Sequence, residues 1–347
     1  MRPYDAFLLM SFGGPEKPED VIPFLENVTR GRGIPRERLA EVGEHYYLFG
    51  GVSPINQQCR DLVEAIGADF AANGVDLPVY WGNRNWDPYL AETVAQMAKD
   101  GVRRVVALAT SAYSNYSSHR QYLEDIDRAR EAVGAAAPEI ELIRPYFDHP
   151  GFIEPFAENT RAALLGLPEG LRAGARLLYS AHSIPTAMAL ASGDPRRDYG
   201  PDGAYPAQLA EAARLITERV DGADGARGHE VVYQSRSGPP SQPWLEPDIN
   251  DRLAELADEG VQAVAVVPHG FVSDHMEVKF DLDVEAADTA KKLGMALVRA
   301  KAPGAHPRFA AMVRELVAER AAGTEPQGLS RWTPRSHTCP PDCCAQR

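Results

Sequence analysis

Alternation between short apolar runs and longer helical stretches is the feature that most constrains the fold of this chain. The pattern indicates successive βαβ units and therefore a parallel sheet. The predicted strands are Ala6–Phe12, Pro78–Gly82, Arg104–Thr110, Ile140–Arg144, Arg176–Ser180, Glu230–Gln234 and Ala263–Pro268. Helices are predicted at Pro18–Asn27, Gln57–Asn73, Pro88–Lys99, Ser118–Ala132, His149–Leu165, Pro206–Val220 and Asp248–Glu259, and as a C-terminal pair near 283–300 and 306–322.

The two halves of the chain resemble each other. LLMSFGGP (8–15) is similar to LLYSAHSIP (177–185), and residues 105–129 follow the same strand, polar loop and acidic helix order as residues 264–287. We therefore predict an α/β fold of two doubly wound, Rossmann-like parallel-sheet domains related by pseudo-symmetry, with a cleft between them. The predicted boundaries are 1–150 for the N-terminal domain, 151–325 for the C-terminal domain and 326–347 for a cysteine-rich tail.

Charge and missing motifs exclude several function classes. The chain has 347 residues and a net charge of −13, which argues against nucleic acid and against an anionic membrane surface, since both favour basic patches. Neither a dinucleotide fingerprint nor a P-loop is present. The start, MRPYDAFLLMSF, predicts neither a signal peptide nor a membrane anchor, and no stretch approaches an integral membrane segment. The expected compartment is the cytoplasm.

Polar side chains follow two of the predicted strands at the point where each strand ends. His182 comes directly after one of them, and His275 lies just before Glu277 in the loop after the other. Ligands in open α/β sheets bind beyond the carboxyl ends of the strands, so these side chains are expected to face one cleft.

Three carboxylates, Glu277, Asp281 and Glu285, follow at four-residue spacing. On a helix beginning near Asp274 they form one stripe, although like charges at that spacing oppose helix formation. The stripe indicates either a path for cations or protons or an ordinary solvated acidic face.

The cysteines are unevenly placed. Cys59 stands alone, whereas Cys339, Cys343 and Cys344 lie within the last nine residues. In a reducing compartment, clustered thiols indicate a metal or iron–sulfur site rather than a disulfide framework, and the alternative is a frayed tail with incidental cysteines.

Five motifs in order along the chain carry a resemblance to a known family. They are LLMSFGGPE (8–16), GGVSPIN (50–56), SAHSIP (180–185), YQSRSGPPSQPWLEPDI (233–249) and HGFVSDHMEVKFDLD (269–283). Together they resemble the ferrochelatases, and the cysteine-bearing tail resembles the actinobacterial type. The resemblance implies a lyase-type metal chelatase of haem biosynthesis that inserts Fe²⁺ as a substrate into coproporphyrin III, giving iron-coproporphyrin III and releasing two protons.

The resemblance also implies roles for individual residues. His182 matches the catalytic histidine, which accepts pyrrole protons or binds iron, and histidine is the natural base near neutral pH. Glu277 matches the carboxylate that binds iron opposite it, and Asp281 and Glu285 match an acidic relay. Which of His182 and Glu277 first receives iron stays open.

Further matches concern the porphyrin pocket. Ser53 and Tyr122 match positions that touch the tetrapyrrole or its carboxylates, and Tyr46 and Arg30 match pocket positions. Arg30 and its neighbour Arg32 are candidates for bidentate pairing with propionates, or are ordinary surface arginines.

Two departures from the family pattern stand out. Phe12 occupies the position where some relatives place an iron-ligating tyrosine, and it cannot coordinate iron. Relatives with a 2Fe–2S cluster supply an internal cysteine where this chain has His119. Because imidazole replaces thiolate in some iron–sulfur centres, His119 is expected to complete the set with the three tail cysteines, and Cys59 is the alternative.

Alternatives to the leading function are a protoporphyrin IX ferrochelatase, which shares the fold and chemistry, and a porphyrin or haem carrier that does not metallate its ligand. The expected partners are coproporphyrin III and ferrous iron, together with transient contact with neighbouring haem-pathway enzymes.

Overall fold

A computed structural model describes residues 4–31, 33–222, 227–238, 241–332, 339–340 and 342–345. Within these residues the chain forms two four-stranded parallel sheets. The first contains β1 (Ala6–Ser11), β2 (Val79–Asn83), β3 (Arg104–Ala109) and β4 (Glu139–Leu142), in the order β2-β1-β3-β4. The second contains β5 (Arg176–His182), β6 (His229–Gln234), β7 (Ala263–Val267) and β8 (Ala296–Arg299), in the order β6-β5-β7-β8. The strand order is the same in both, as the predicted pseudo-symmetry requires.

Helices connect and cover the strands. They are α1 (Val21–Val28), α2 (Arg36–Tyr47), α3 (Ile55–Ala72), α4 (Leu90–Lys99), α5 (Gln121–Val133), α6 (Pro150–Leu164), α7 (Glu169–Arg172), α8 (Thr186–Leu190), α9 (Ala204–Asp221), α10 (Ile249–Asp258), α11 (Ala287–Lys292) and α12 (Pro307–Ala322). Short 3₁₀ turns lie at Pro18–Asp20 and Gly134–Ala136, and π-helical segments lie at Tyr116–Arg120 and Val278–Ala286.

Several elements differ from the sequence predictions. Residues 283–300 were predicted as one helix, but they hold the end of a π-helix, then α11 and the edge strand β8. Ala296 and Leu297 favour helix intrinsically, yet Ala296–Arg299 pairs in parallel with Ala263–Val266 of β7, and tertiary pairing overrides the weak local preference. Helix α2 was not predicted, although Leu39, Gly43 and Tyr46 form its buried face at helical spacing.

The last helix returns to the first sheet. In α12, Arg314 pairs with Asp69 of α3 at 2.7 Å, and Arg320 pairs with Glu141 of β4 at 2.6 Å. A buried ion pair, 2.8 Å long, joins Arg144, just after β4, to Glu319 of α12 and holds this helix against the first sheet. The N-terminal sheet is therefore covered by a helix that follows the second sheet in the chain.

Strand register sets the position of the polar side chains. Ser11 at the end of β1 lies beside Asn83 at the end of β2, and His182 at the end of β5 lies beside Gln234 at the end of β6. After β1 the chain turns at Gly13, whose φ of +83° is favourable for glycine, and a Cβ there would lie 3.0 Å from the backbone nitrogen of Trp86. The loops after β1 and β2 are thereby held together.

Candidate active site

His182 and Glu277 meet across the gap between β5 and the π-helix. His182 is half-buried, and its Nε2 lies 3.7 Å from Oε2 of Glu277. Because the Ser183 carbonyl oxygen can only accept, the His182 Nδ1–H donates to it, and in the neutral ring this leaves Nε2 unprotonated and basic. The Tyr205 hydroxyl donates to the His182 carbonyl oxygen at 2.9 Å, which further fixes the end of the strand.

A second imidazole faces the same carboxylate. His275 Nδ1 lies 3.7 Å from Glu277 Oε2, so the carboxylate lies between two histidine rings. Burial lowers the pKa of His275, while the nearby Glu277 carboxylate acts in the opposite direction. The sequence places His275 two residues before Glu277, but it does not show that His182 would share the same carboxylate oxygen.

Asp281 lies near Glu277, and its carboxyl group is largely buried. Its Oδ2 accepts hydrogen bonds from the Ser235 hydroxyl and, at 3.2 Å, from the Gln234 side-chain amide. Burial, with a smaller contribution from the Glu277 and Glu285 carboxylates, raises the pKa of Asp281 to about 7, whereas the hydrogen bonds from Ser235 and Gln234 oppose this shift. The carboxyl therefore changes charge near neutral pH.

The acidic stripe lies on a π-helix rather than on the expected regular α-helix. Glu277 directly precedes Val278–Ala286, and Asp281 and Glu285 lie within it. Its i→i+5 hydrogen bonds widen the turn, and such segments occur often at functional sites. Glu285, the last carboxylate of the stripe, is an exposed residue. Partial burial of its carboxyl group and the nearby Asp248 carboxylate raise its pKa.

Phe12 and Tyr46, two of the predicted porphyrin residues, belong to one aromatic group. The Phe24 ring contacts the rings of Phe12, Tyr46 and Trp86 with centroids 6.0–6.2 Å apart. Phe12 is 37% exposed, whereas Tyr46 is buried and close enough to Glu277 for that carboxylate to raise its pKa in addition to burial. The group therefore lies beside the His182–Glu277 pair.

The other predicted porphyrin residues are dispersed. Ser53 is buried, and its backbone N–H donates to the Pro15 carbonyl at 2.8 Å. Arg30 is exposed near Tyr89, and Arg32 lies outside the described residues. Tyr122 is buried beneath the Arg84 guanidinium, 4.1 Å from the ring centroid, and is not brought to the Phe12 group by any contact the described residues make.

The tail cysteines and His119 come together at a separate place. The Sγ atoms of Cys343 and Cys344 are 3.4 Å apart, and Cys339 is hydrogen-bonded to Cys343. His119 is buried close enough to Cys343 for each to affect the pKa of the other. Cys59 is buried instead in the core near Ser11, away from this group.

Among the described residues, no group of three or more His, Cys, Asp or Glu side chains is arranged to hold a metal ion. No helix in the same part of the chain is long and apolar enough to cross a membrane.

Comparison with known proteins identifies the family. The sequence model of the ferrochelatases matches residues 4–321. The chain belongs to the ferrochelatase family. It is 53% identical to the coproporphyrin III ferrochelatase of Streptomyces griseus, over 99% of this chain and 94% of that protein. It is also 53% identical to the coproporphyrin III ferrochelatase of Nocardia farcinica, over 98% and 96% of the two chains.

Solved structures support the fold of this ferrochelatase. SirB from Bacillus subtilis, determined with Fe³⁺, superposes with a TM-score of 0.54 at 13% identity, covering 91% of this chain and 97% of that one. DR2241 from Deinococcus radiodurans, a multi-domain protein with structural similarity to chelatases, superposes with a TM-score of 0.52 at 17% identity, covering 91% and 55% of the two chains. Both likenesses confirm the chelatase-like arrangement of two Rossmann-like domains. Membership of the ferrochelatase family makes the chain a metal chelatase.

Proposed function

We propose that this ferrochelatase inserts Fe²⁺ into coproporphyrin III and forms iron-coproporphyrin III in haem biosynthesis. The observation that carries the proposal is the Glu277 carboxylate held 3.7 Å from both His182 and His275. The choice of porphyrin is supported by the Streptomyces and Nocardia relatives, whose names specify coproporphyrin III.

The reaction exchanges two pyrrole protons for one ferrous ion. His182 Nε2, left basic by the Nδ1 hydrogen bond, accepts a pyrrole proton. Glu277 supplies a carboxylate oxygen for Fe²⁺, a ligand type that suits this ion together with imidazole. Asp281 and Glu285 lead from this pair to the exposed end of the π-helix, and we assign to them the relay of protons outward and of hydrated metal inward.

The test is anaerobic Fe²⁺ insertion into coproporphyrin III, followed by the porphyrin absorbance bands, with protoporphyrin IX measured in parallel. We expect rapid turnover of coproporphyrin III, loss of turnover in His182→Ala, and no change in His229→Ala, which removes an exposed histidine at the start of β6. Faster turnover of protoporphyrin IX would favour the alternative substrate. Porphyrin binding without metallation in the parent protein would show a carrier.

We further propose that Cys339, Cys343, Cys344 and His119 hold a 2Fe–2S cluster. The donor types fit such a cluster, because Cys339, Cys344 and the buried imidazole of His119 all lie near Cys343, and hydrogen bonds from Cys339 and Cys344 lower the pKa of Cys343, which favours the ligating thiolate. Each iron of such a cluster needs only two protein ligands. Arg120 donates to the carbonyl oxygens of Pro340 and Cys343 at 2.8 and 2.9 Å and holds the tail in place.

When bound, the cluster supplies a redox-active cross-link between the tail and the π-helical turn that carries His119. We expect anaerobically purified protein to show cluster absorbance that Cys343→Ser abolishes and Cys59→Ser retains. Metal insertion is expected to continue in both variants, because the cluster ligands lie apart from His182 and Glu277. Retained absorbance in Cys343→Ser would remove this residue from the ligand set.

The remaining proposals concern the cellular setting. Four free cysteines support a reducing compartment, and we place the enzyme in the cytoplasm. Exposed apolar side chains near the end of α2, including Leu48 at 67% exposure and Val52 at 42%, support transient contact with enzymes that supply the porphyrin or consume the product.

A further inference from the structure

Asn85 lies where the ends of β1 and β2 meet helix α1. Its backbone N–H donates to the Phe12 carbonyl oxygen at 3.0 Å, and its own carbonyl oxygen accepts from the Asn27 side-chain amide at 2.8 Å. These two bonds fix the backbone of Asn85 beside Phe12, which belongs to the exposed side of the aromatic group. The residue therefore adjoins the aromatic group that lies beside the His182–Glu277 pair, without being part of that pair.

The side-chain amide of Asn85 has a buried donor without a partner. The residue is 8% exposed, and its Nδ2 makes no hydrogen bond within the described structure. A buried donor that is left unpaired destabilises the folded protein. Groups of this kind are uncommon in native proteins and call for a specific explanation.

A neighbouring asparagine shows that the loop is able to satisfy such an amide. Asn83, two residues earlier, donates from Nδ2 to the Asp87 carbonyl oxygen at 3.1 Å and to Asn56 Oδ1 at 3.3 Å. Its Oδ1 accepts from the Trp81 indole at 3.0 Å. The unpaired donor is therefore specific to Asn85 and is not a general property of this loop.

The surroundings of Asn85 favour an anionic acceptor. Arg30 is exposed, lies near Tyr89 in the same region and has no ion-pair partner in the described part of the chain. The unpaired atom is an N–H donor, which binds an acceptor rather than a cation such as Fe²⁺. An acceptor that approaches both an amide donor and a guanidinium is best matched by a carboxylate.

We infer that Asn85 is a substrate-binding residue whose side-chain amide donates a hydrogen bond to a propionate carboxylate of the porphyrin. The inference rests on the proposed porphyrin substrate and deepens it, because it names a recognition contact beyond the residues that the family motifs mark. The nitrogen is covered in the unliganded protein, so binding involves a local movement such as a half-turn of the amide, which exchanges its nitrogen and oxygen. Asn85 acts in recognition and takes no part in proton transfer.

The test compares Asn85→Leu, which keeps the side-chain size and removes the donor, with Asn83→Leu. For Asn85→Leu we expect unchanged or higher thermal stability, because the unpaired buried donor is lost, together with roughly tenfold weaker coproporphyrin III binding measured by fluorescence titration. The KM for coproporphyrin III is expected to rise in proportion to this loss of affinity. Asn83→Leu loses made hydrogen bonds and is expected to lower the melting temperature.

Two further measurements separate the possible failures. Asn85→Asp places a negative charge beside the propionate and is expected to weaken binding more than Asn85→Leu. With coproporphyrin tetramethyl ester in matched detergent, the difference between parent and Asn85→Leu should largely disappear, because the carboxylate is masked. Equal coproporphyrin III affinity in parent and Asn85→Leu overturns this inference, whereas a parent protein that fails to metallate coproporphyrin III overturns the proposed function instead.

Discussion

At the residue scale, the Glu277 carboxylate is the point on which two imidazole rings converge, each 3.7 Å away. His182 and Glu277 were both predicted from their positions after strands, since parallel sheets bring such ends to one edge. Gln234 and Ser235 were missed as partners of Asp281. Their contacts depend on the register of β6 against β5 and on the wide turn of the π-helix, which no local sequence pattern specifies.

Replacing His275 with glutamine tests the second imidazole. The change keeps a polar side chain but removes a titratable ring 3.7 Å from Glu277, so proton transfer and the orientation of the carboxylate are both impaired. We expect kcat for Fe²⁺ insertion to fall by roughly 10- to 100-fold, as for other residues that orient metal-binding groups, with porphyrin affinity unchanged. Parent-like turnover in His275→Gln would assign this ring a packing role only.

We predict that Asp281 gives the reaction a pH dependence. With its pKa raised to about 7, the carboxyl is protonated below that pH and no longer attracts cations or accepts protons. We expect kcat/KM for Fe²⁺ to fall as pH decreases through about 7, and Asp281→Asn to be slow at every pH without this step. The folded state binds this proton more tightly than the unfolded chain does, so ionisation destabilises the fold, and Asp281→Asn should raise the melting temperature at pH 8.

At the element scale, helix α2 packs directly against the π-helix across the two sheets. His45 of α2 stacks on Phe280 with ring centroids 3.6 Å apart and planes 9° from parallel. Met276 is buried among Val21, Phe24 and Tyr46 of the N-terminal half. Helix α2 was not predicted, and the acidic segment was expected as a regular helix, so this contact was not available from the sequence. The strands that support it were placed within a few residues.

The His45–Phe280 stack is expected to hold the cleft closed. A stacked aromatic pair contributes about 0.5–1.5 kcal/mol beyond its buried area, so His45→Ala should loosen α2 from the π-helix. We predict faster dissociation of iron-coproporphyrin in stopped-flow measurements and a small decrease in melting temperature. His45→Phe keeps a ring in place and should retain parent rates. Equal dissociation rates in all three proteins would show that the stack does not limit release.

At the scale of the whole molecule, one continuous apolar core joins both sheets, and it encloses titratable groups. His149 at the start of α6 and His269 after β7 are buried, and burial lowers the pKa of each to about 4. The equivalent strand orders followed from the repeated motifs of the two halves. The return of α12 to the first sheet could not be predicted from the sequence. Its apolar face fits either domain, and tertiary ion pairs such as Arg314–Asp69 select the first.

These two histidines predict acid sensitivity of the whole fold. Both are neutral in the folded protein, while an unfolded histidine binds a proton below about pH 6.5. The unfolded chain therefore binds more protons between pH 6.5 and 4, and each histidine removes up to about 3 kcal/mol of stability as pH falls through that range.

The measurement is urea unfolding at pH 7.5 and at pH 5. In His149→Asn, asparagine can replace the Nδ1 that accepts from Gly151 at the start of α6, but it does not titrate. The loss of stability between the two pH values should be smaller in this variant by about 2 kcal/mol. An identical loss in parent and variant would mean that His149 does not take up a proton on unfolding.

The return of α12 to the first sheet also has a consequence for synthesis of the chain. Arg314 and Arg320, which pair with Asp69 and Glu141, are translated after the strands of both sheets. The outer face of α3 therefore stays uncovered on the ribosome until residue 322 has left the exit tunnel. The N-terminal half is synthesised first, but its packing is completed last. A stalled nascent chain would therefore present the outer face of α3 to chaperones.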